Sequence, residues 1–512
     1  MTILRSANSG LTEHVLRFVL RCPTINRSHH PHFNPWLALV VVCFGQFMVV
    51  LDATIVNVAL PAIQTDLGFS DTSLAWVVNA YTLLFGGFLL LGGRAADLLG
   101  RRSLFLAGVA LFSAASLFNG LATSEAMLIA GRAIQGLGGA MLSPAALSVI
   151  TTSFDEGPQR TKALSVWAGV AAGGGAVGLL LGGFLVESLS WEWIFFVNVP
   201  VGVTIVFAAL RWVPNSVQEG ALRHFDIAGA TTVTGGLVAL VYAIVEASSW
   251  GWDSGKTLGV ATLGIVLLVA FVFIERRSPA PLVRLELFKL RSLATGNGVF
   301  LMVAGGLFAM FYFASLYLQS ILGYSPLTTG LAFLPVTAGI GIGATIAEKL
   351  IPRVGLRPVL LAGMLLAAVG LAVLAATTEV GGHYPGIVGG LFPMSIGMGA
   401  TFVSLTLVAT TNVEAADAGL ASGIFNTSQQ IGGALGLAVL AGIANSKTSD
   451  FLGGIVGKPS FLDQQEALVT GFQTAFVVAA ALVAAGTVLA ALLLRRRDVA
   501  RIESGDTVAM PA

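Results

Sequence analysis

Fourteen apolar runs, each close to the roughly 20 residues needed to cross the hydrocarbon of a bilayer, divide this 512-residue chain. They lie at Trp36–Leu60, Leu74–Gly93, Ser103–Leu121, Ala126–Ile150, Ala163–Val186, Trp193–Leu210, Ile227–Val245, Thr257–Ile274, Ala294–Leu318, Leu327–Ala347, Pro358–Thr378, Gly386–Thr410, Gly419–Ala444 and Phe472–Leu494. No polar domain separates them, and the external stretch Asn445 to Gly471 reads as an elongated loop. In lipid each run must satisfy its own backbone hydrogen bonds, so all fourteen are expected to be α-helices. The composition agrees: 10% of residues are charged, against about 25% in a soluble domain. A net charge of +1 gives no footprint for nucleic acid.

Orientation follows from the basic residues, which collect on the cytoplasmic side. All but four of the 27 Lys and Arg fall in the two tails and the even-numbered loops. The exceptions are Lys256, Lys447 and Lys458, in odd-numbered loops, and Arg132, inside the fourth run. Both termini are therefore expected in the cytoplasm, with the chain spanning a bacterial inner membrane. The tail up to Asn34 carries Arg5, Arg17, Arg21, Arg27 and the histidines His29, His30 and His32. Its apolar pieces are too short for a signal peptide. It reads as a disordered, solvated segment rather than a metal site. Cys22 and Cys43 lie in that tail and inside an apolar run, which is no redox or metal pattern.

The chain repeats itself. Gly174-Gly175-Ala176-Val177-Gly178-Leu179 returns as Gly432-Gly433-Ala434-Leu435-Gly436-Leu437. Gly100-Arg101-Arg102 with Ala107-Gly108 is echoed by Gly355-Leu356-Arg357 with Ala362-Gly363. Runs 1–6 and 9–14 then read as copies, an architecture in which transporters place the substrate path between halves. The expected division is a tail over 1–34, a six-helix bundle over 35–212, an inserted helix pair with linkers over 213–292, a second bundle over 293–495 and a tail over 496–512.

Few polar groups enter the apolar runs. Asp52 is a carboxylate well inside the first, where a charge at the bilayer centre costs about 2.5–3.5 kcal/mol. Desolvation disfavours the charged form of a carboxylate, so Asp52 is a candidate for taking a proton from outside and releasing it inside. The alternative is a structural Asp held by neighbours such as Asn57. Arg132 keeps its proton and needs a carboxylate or water; the sequence does not name that partner. The glycines Gly174, Gly178 and Gly182 leave a flat stripe at helical spacing; static packing is the alternative, but its place in the repeat favours a sliding surface between halves with a gating role. Asn57, Gln135, Asn426 and Gln430 are candidates for a substrate pocket or for interhelical hydrogen bonds. Trp76, Trp167, Phe308 and Phe311 are candidates for its apolar walls. No phosphate-binding loop occurs, so ATP is not the expected energy source. No clustered Cys/His ligands or nucleophile elbow appears, so neither an enzyme nor a metal site is expected.

Several segments resemble a known family. LDATIVNVALPAI (Leu51 to Ile63) is similar to the signature of the fourteen-span drug:proton antiporter-2 family of the major facilitator superfamily. GGRAADLLGRR (Gly92 to Arg102), RAIQGLGGA (Arg132 to Ala140), the segment Gly169 to Gly183 and WEWIFFVNVPVG (Trp191 to Gly202) resemble further motifs of that family in order. LYLQSILGYSPLTTGLAFLP (Leu316 to Pro335) and GLASGIFNTSQQIGGALG (Gly419 to Gly436) extend the resemblance to the end of the apolar region. The resemblance implies a major facilitator fold, an all-α membrane protein of two six-helix bundles plus two inserted helices. It also implies export of lipophilic small molecules against protons, with no cofactor beyond the proton motive force and a monomer in the lipid. It gives Asp52 and Arg132 the proton-linked role, and Asp97, Arg101, Gly93 and Gly100 a gating role at the cytoplasmic face. Two positions depart from the family pattern: Leu179 replaces a proline and Glu192 an arginine.

Overall fold

The structure is a computed structural model, and it describes residues 34–154, 157–214, 226–279, 281–410, 413 and 418–495. Fourteen of its helices are long and apolar enough to cross a membrane. We number them α1 (Pro35–Leu67), α2 (Trp76–Leu99), α3 (Arg101–Gly120), α4 (Glu125–Ser153), α5 (Pro158–Ser188), α6 (Trp193–Trp212) and α7 (Ile227–Trp250). The remainder are α8 (Gly255–Arg277), α9 (Arg291–Ile321), α10 (Pro326–Val354), α11 (Leu356–Thr377), α12 (Tyr384–Thr410), α13 (Ala418–Gly453) and α14 (Phe461–Leu493). Each predicted run lies on one of these helices. With an even number of crossings, Asn34 and Arg495 share one face, called here the termini face; the other is the far face. The expectations placed on Cys22, His29, His30, His32 and the terminal tails fall outside the described residues.

One expectation is corrected. Asn445 to Gly471 is not an elongated loop: α13 continues to Gly453 and α14 begins at Phe461. Polar residues at a helix end conceal it from a hydropathy reading. What starts α14 is a capping box, in which Ser460 Oγ accepts the Asp463 N–H at 3.1 Å and the Asp463 carboxylate accepts the Ser460 N–H at 2.7 Å. Two donors that a helix start leaves unpaired are thereby satisfied.

Packing reproduces the repeat. In the first bundle α1 packs on α5 and α6, α2 on α4, and α3 on α4 and α6. In the second, α9 packs on α13 and α14, α10 on α12, and α11 on α12 and α14, which is the same pairing eight helices later. The inserted α7 lies against α2 and α13, and α8 packs on α7. Leu263, Ile265, Val266, Val269 and Phe273 of α8 are each about half exposed, the lipid-facing surface of a helix apolar all round.

The repeated glycine motif does the same work twice. On α5, Gly178 meets Thr54 and Leu51 of α1, and Gly182 meets Ile55. On α13, Gly436 lies on Gly305 of α9, and Gly433 faces the Phe308 ring. Without side chains the helices close to backbone contact, and dispersion replaces the hydrophobic drive that lipid cannot supply. The stripe Gly174, Gly178, Gly182 therefore packs within one bundle, correcting its reading as a sliding surface between halves. The second repeat is equally concrete. Gly100 and Gly355 start α3 and α11 at φ 98° and 90°, a region that glycine alone enters without strain. Arg102 donates to the Val213 carbonyl at the end of α6 (3.3 Å), and Arg357 donates to Ala491 near the end of α14 (2.6 Å). Arg102, expected only to set orientation, ties the sixth helix of its bundle to the third.

The two bundles meet mainly along α2–α13 and α5–α10. At the far face Leu179 and Gly183 of α5 abut Gly330, Pro326 and Leu327 of α10. The Leu327 N–H there donates to the Glu187 carboxylate at 3.0 Å. Toward the termini face, positions Gly169 and Gly173 of α5 and Gly341 of α10 have nothing within 4 Å of where a Cβ would stand. The far face is closed, and the α5–α10 seam opens toward the termini face.

These contacts separate glycines that a hydropathy reading treats alike. Gly436→Ala places a methyl into the backbone of Gly305, and overpacking of this kind costs about 1–3 kcal/mol; Gly169→Ala adds a methyl in open space. Thermal unfolding of the purified protein in detergent is expected to show a lowered midpoint for the first and none for the second.

Candidate functional site

The site is a knot of polar side chains inside the first bundle, in the half of the helices nearer the far face. Arg132 stands two turns into α4, whose start is capped by Ser124 Oγ accepting the Met127 N–H at 3.4 Å. Gln135 follows one turn later on the same face. Glycines bring the neighbouring helices in: Gly136 rests on the Tyr81 carbonyl of α2, and Gly131 on the Asn119 side chain of α3. A side chain at either position would push apart the helices that surround Arg132.

The Arg132 guanidinium is fully buried and bonded through Nη1 and Nε. Its Nη1 donates to Asp52 Oδ2 of α1 at 2.5 Å and to Gln135 Oε1 at 2.8 Å. Its Nε donates to the Val77 carbonyl of α2 at 3.0 Å. The Tyr81 ring lies 4.4 Å from its Cζ, a cation–π contact. Asp52 is equally buried. Besides Arg132, its Oδ1 accepts from Gln135 Nε2 at 2.7 Å and from Asn198 Nδ2 of α6 at 2.9 Å. A further shell holds these donors: Asn119 Nδ2 donates to Gln135 Oε1 at 2.7 Å, Asn198 also donates to Ser116 Oγ, and Ser116 donates to the Phe195 carbonyl. Five helices, α1, α2, α3, α4 and α6, thus converge on one ion pair.

The structure answers what the sequence left open: the partner of Arg132 is Asp52. Every group bonded to Asp52 is a donor. A proton on the carboxyl would cancel the charge that faces Arg132 and make both oxygens poorer acceptors, so each of these contacts weakens when it arrives.

The other predicted residues are distributed differently. Asn57 sits on α1 beyond the knot, with its amide turned back to the Ala53 and Thr54 carbonyls at 3.2 and 3.3 Å. Gln135 is buried in the knot and bonded to Asp52, Arg132 and Asn119, the arrangement of its reading as an interhelical hydrogen-bond residue. Trp76 is buried between α2, α7 and α13, 6.1 Å from the Tyr242 ring. Trp167 is half-buried against the core of the first bundle, Gln430 stands over Gly86 at the α2–α13 crossing, and Asn426 is exposed with its amide on the Ser422 carbonyl. Arg101 donates to Ser148 Oγ of α4 at 2.6 Å, inside its own bundle. Gly93 faces Pro144 of α4. The side chain of Asp97 lies outside the description.

Asn198, Asn119 and Ser116 escaped the sequence reading. The signal for Asn198 was present: it is a lone amide in the apolar string FFVNVPVG. A polar side chain so placed needs a partner on a neighbouring helix. Nothing marks Asn119 and Ser116 beyond their polarity.

Comparison with known proteins fits this architecture. The chain matches the model of the Major Facilitator Superfamily over residues 42–437. It is 40% identical to the puromycin resistance protein pur8 of Streptomyces alboniger, over 94% of this chain and 96% of that protein. It is 41% identical to the cephamycin export protein CmcT of Amycolatopsis lactamdurans, over 80% and 85% of the two chains. Among solved structures, a bacterial homologue of the human lysosomal transporter Spinster, inward-facing and unoccupied, aligns with a TM-score of 0.63 at 17% identity, covering 91% of this chain and 98% of that one. The last likeness speaks for the fold alone. With fourteen membrane-spanning helices and these relatives, the chain is a multi-pass membrane transporter rather than an enzyme, and it belongs to the Major Facilitator Superfamily.

Proposed function

We propose that this protein exports lipophilic drugs or antibiotics from the cytoplasm in exchange for protons, by alternating access between its two six-helix bundles. In this reading the termini face is cytoplasmic, the membrane is a bacterial inner membrane, and the protein works as a monomer without a cofactor. The observation that carries proton exchange is the all-donor coordination of Asp52. Proton uptake there removes the charge that binds Arg132 and weakens the contacts to Arg132, Gln135 and Asn198, and this couples protonation to helix rearrangement. Arg132 keeps its charge throughout and returns Asp52 to the ionised state when the opposite face opens. The junction of α2 and α3, with Gly93 and Asp97 near the end of α2, Gly100 between the helices and Arg101 at the start of α3, latches the cytoplasmic side in the alternate state.

The driving force suffices. One charge moving through about 150 mV gains roughly 3.5 kcal/mol, enough for a few-hundred-fold gradient of substrate. The relatives support the substrate class, since one is named for resistance to puromycin and the other for export of cephamycin. Each is named for a single antibiotic, and this favours a second reading, export of one dedicated antibiotic or metabolite. A susceptibility panel on a deletion strain separates them: many sensitised drugs fit the first reading, one compound the second.

Two experiments test the proton role. Everted vesicles containing the protein are expected to accumulate a fluorescent drug on energisation. Asp52→Asn is expected to insert normally and abolish that accumulation; undiminished proton-driven uptake removes Asp52 from the mechanism. Arg132→Gln leaves a buried carboxylate unpaired, at a cost of about 3–5 kcal/mol, and is expected to lower the thermal midpoint sharply. Adding Asp52→Asn is expected to restore much of the stability without restoring transport. Transport by the doubly neutral protein would instead mark the pair as structural.

A further inference from the structure

Pro61 interrupts the hydrogen-bond ladder of α1. A proline has no N–H, so it leaves the carbonyl four residues earlier without its helical donor. That carbonyl belongs to Asn57. Across the boundary between the bundles, Ser315 of α9 donates its hydroxyl to this oxygen at 2.7 Å, and the contact is buried. One turn on, Gln319 Nε2 donates to the next carbonyl, Val58, at 3.0 Å, and to Ser315 Oγ at 3.2 Å. Ser315 is fully buried and Gln319 is half-buried at the floor of a far-face depression shared with Pro61, Asp66 and Tyr324.

We infer that Ser315 and Gln319 form the far-face gate, holding α9 to α1 through the Asn57 oxygen that Pro61 releases and the Val58 oxygen beside it. The reading rests on the alternating access proposed above. In an uninterrupted helix that carbonyl already accepts its own N–H and offers only its second lone pair, as Val58 does to Gln319; freed by Pro61, it gives its full acceptor strength to Ser315. A carbonyl freed inside a bilayer must find another partner; here its protein partner, Ser315, is in reach only while the bundles are closed against each other. When the far face opens, water enters the same space and takes over both acceptors, so the closed state is favoured by the small net difference between a protein bond and a water bond. A gate of that strength is reversible. Asp52 lies five residues before Asn57 on the same helix, so a change at the ion pair reaches the gate through little more than one turn of α1.

The test is a double-mutant cycle read by distance rather than by transport. Nitroxides are attached at Thr123→Cys and Phe461→Cys, both exposed at the far face on different bundles, in a full chain with Cys22→Ser and Cys43→Ser. Pulsed electron resonance then gives the ratio of far-face-open to far-face-closed molecules, without a proton gradient. Ser315→Ala is expected to raise that ratio about fivefold, the size expected when one hydrogen bond of about 1 kcal/mol is lost. Pro61→Ala returns an N–H to Asn57, so in that background Ser315→Ala is expected to change the ratio little. A ratio unmoved by Ser315→Ala, or an equal effect with and without Pro61, overturns the gate. If the wild-type distance never widens under any substrate or pH, alternating access fails and the gate fails with it. Loss of proton coupling at Asp52 would leave this cycle standing, so the two failures are distinguishable.

Discussion

An arginine in the middle of a membrane helix cannot discard its charge, and the first bundle is built around that fact. Arg132 needs an anion and further acceptors within reach of a planar fork of donors. Asp52, the Gln135 amide and the Val77 carbonyl supply them. Supplying them brings α1, α2 and α4 to one point, and the amides of Asn119 and Asn198 add α3 and α6. Close approach is possible because Gly131 and Gly136 carry no side chain where the neighbours pass. The glycines of α4 and the charges of α4 are therefore one device.

The second bundle solves the same packing problem without charge. Its helices pair as those of the first do, through the same glycine motif, yet among the described residues of α9–α14 the buried polar groups are hydroxyls and one amide, Asn297. The halves share a frame and differ in what fills it. Such a division suits a machine in which one half carries the charge chemistry and the other is the surface it moves against.

Much of this was legible in the sequence. Hydropathy located every membrane helix, and two short matches, Gly174–Leu179 with Gly432–Leu437 and Gly100–Arg102 with Gly355–Arg357, revealed a repeat that the packing bears out. The physical reason is that lipid imposes length and polarity on each helix separately, so local sequence carries that information. The partner of Arg132 was not legible, because 80 residues separate it from Asp52 and only the tertiary fold joins them. For the same reason the Gly174 stripe could be recognised as a packing surface while its neighbour, α1 rather than the other half, could not. The extension of α14 to Phe461 was missed for a local cause: a capping box over Ser460 and Asp463 outweighs the polarity that a hydropathy window registers.

In the proposed cycle, α1 joins the chemistry to the motion. Asp52, Thr54, Asn57 and Pro61 fall within ten residues of one another. Thr54 spends its hydroxyl on the carbonyls of Val50 and Leu51, and Asn57 spends its amide on those of Ala53 and Thr54. Side chains that bond back to the preceding turn soften a helix, and Pro61 weakens it again one turn later. The stretch between the ion pair and the far-face contact is thus the part of α1 least committed to a single geometry. A stiff helix would carry a shift at Asp52 to both faces alike. In the proposed cycle a helix weakened between Asp52 and Asn57 bends at that place, so the same shift alters the far-face seam while the contacts of Gly174 with Phe47 and Val50 hold the preceding turns of α1 against α5.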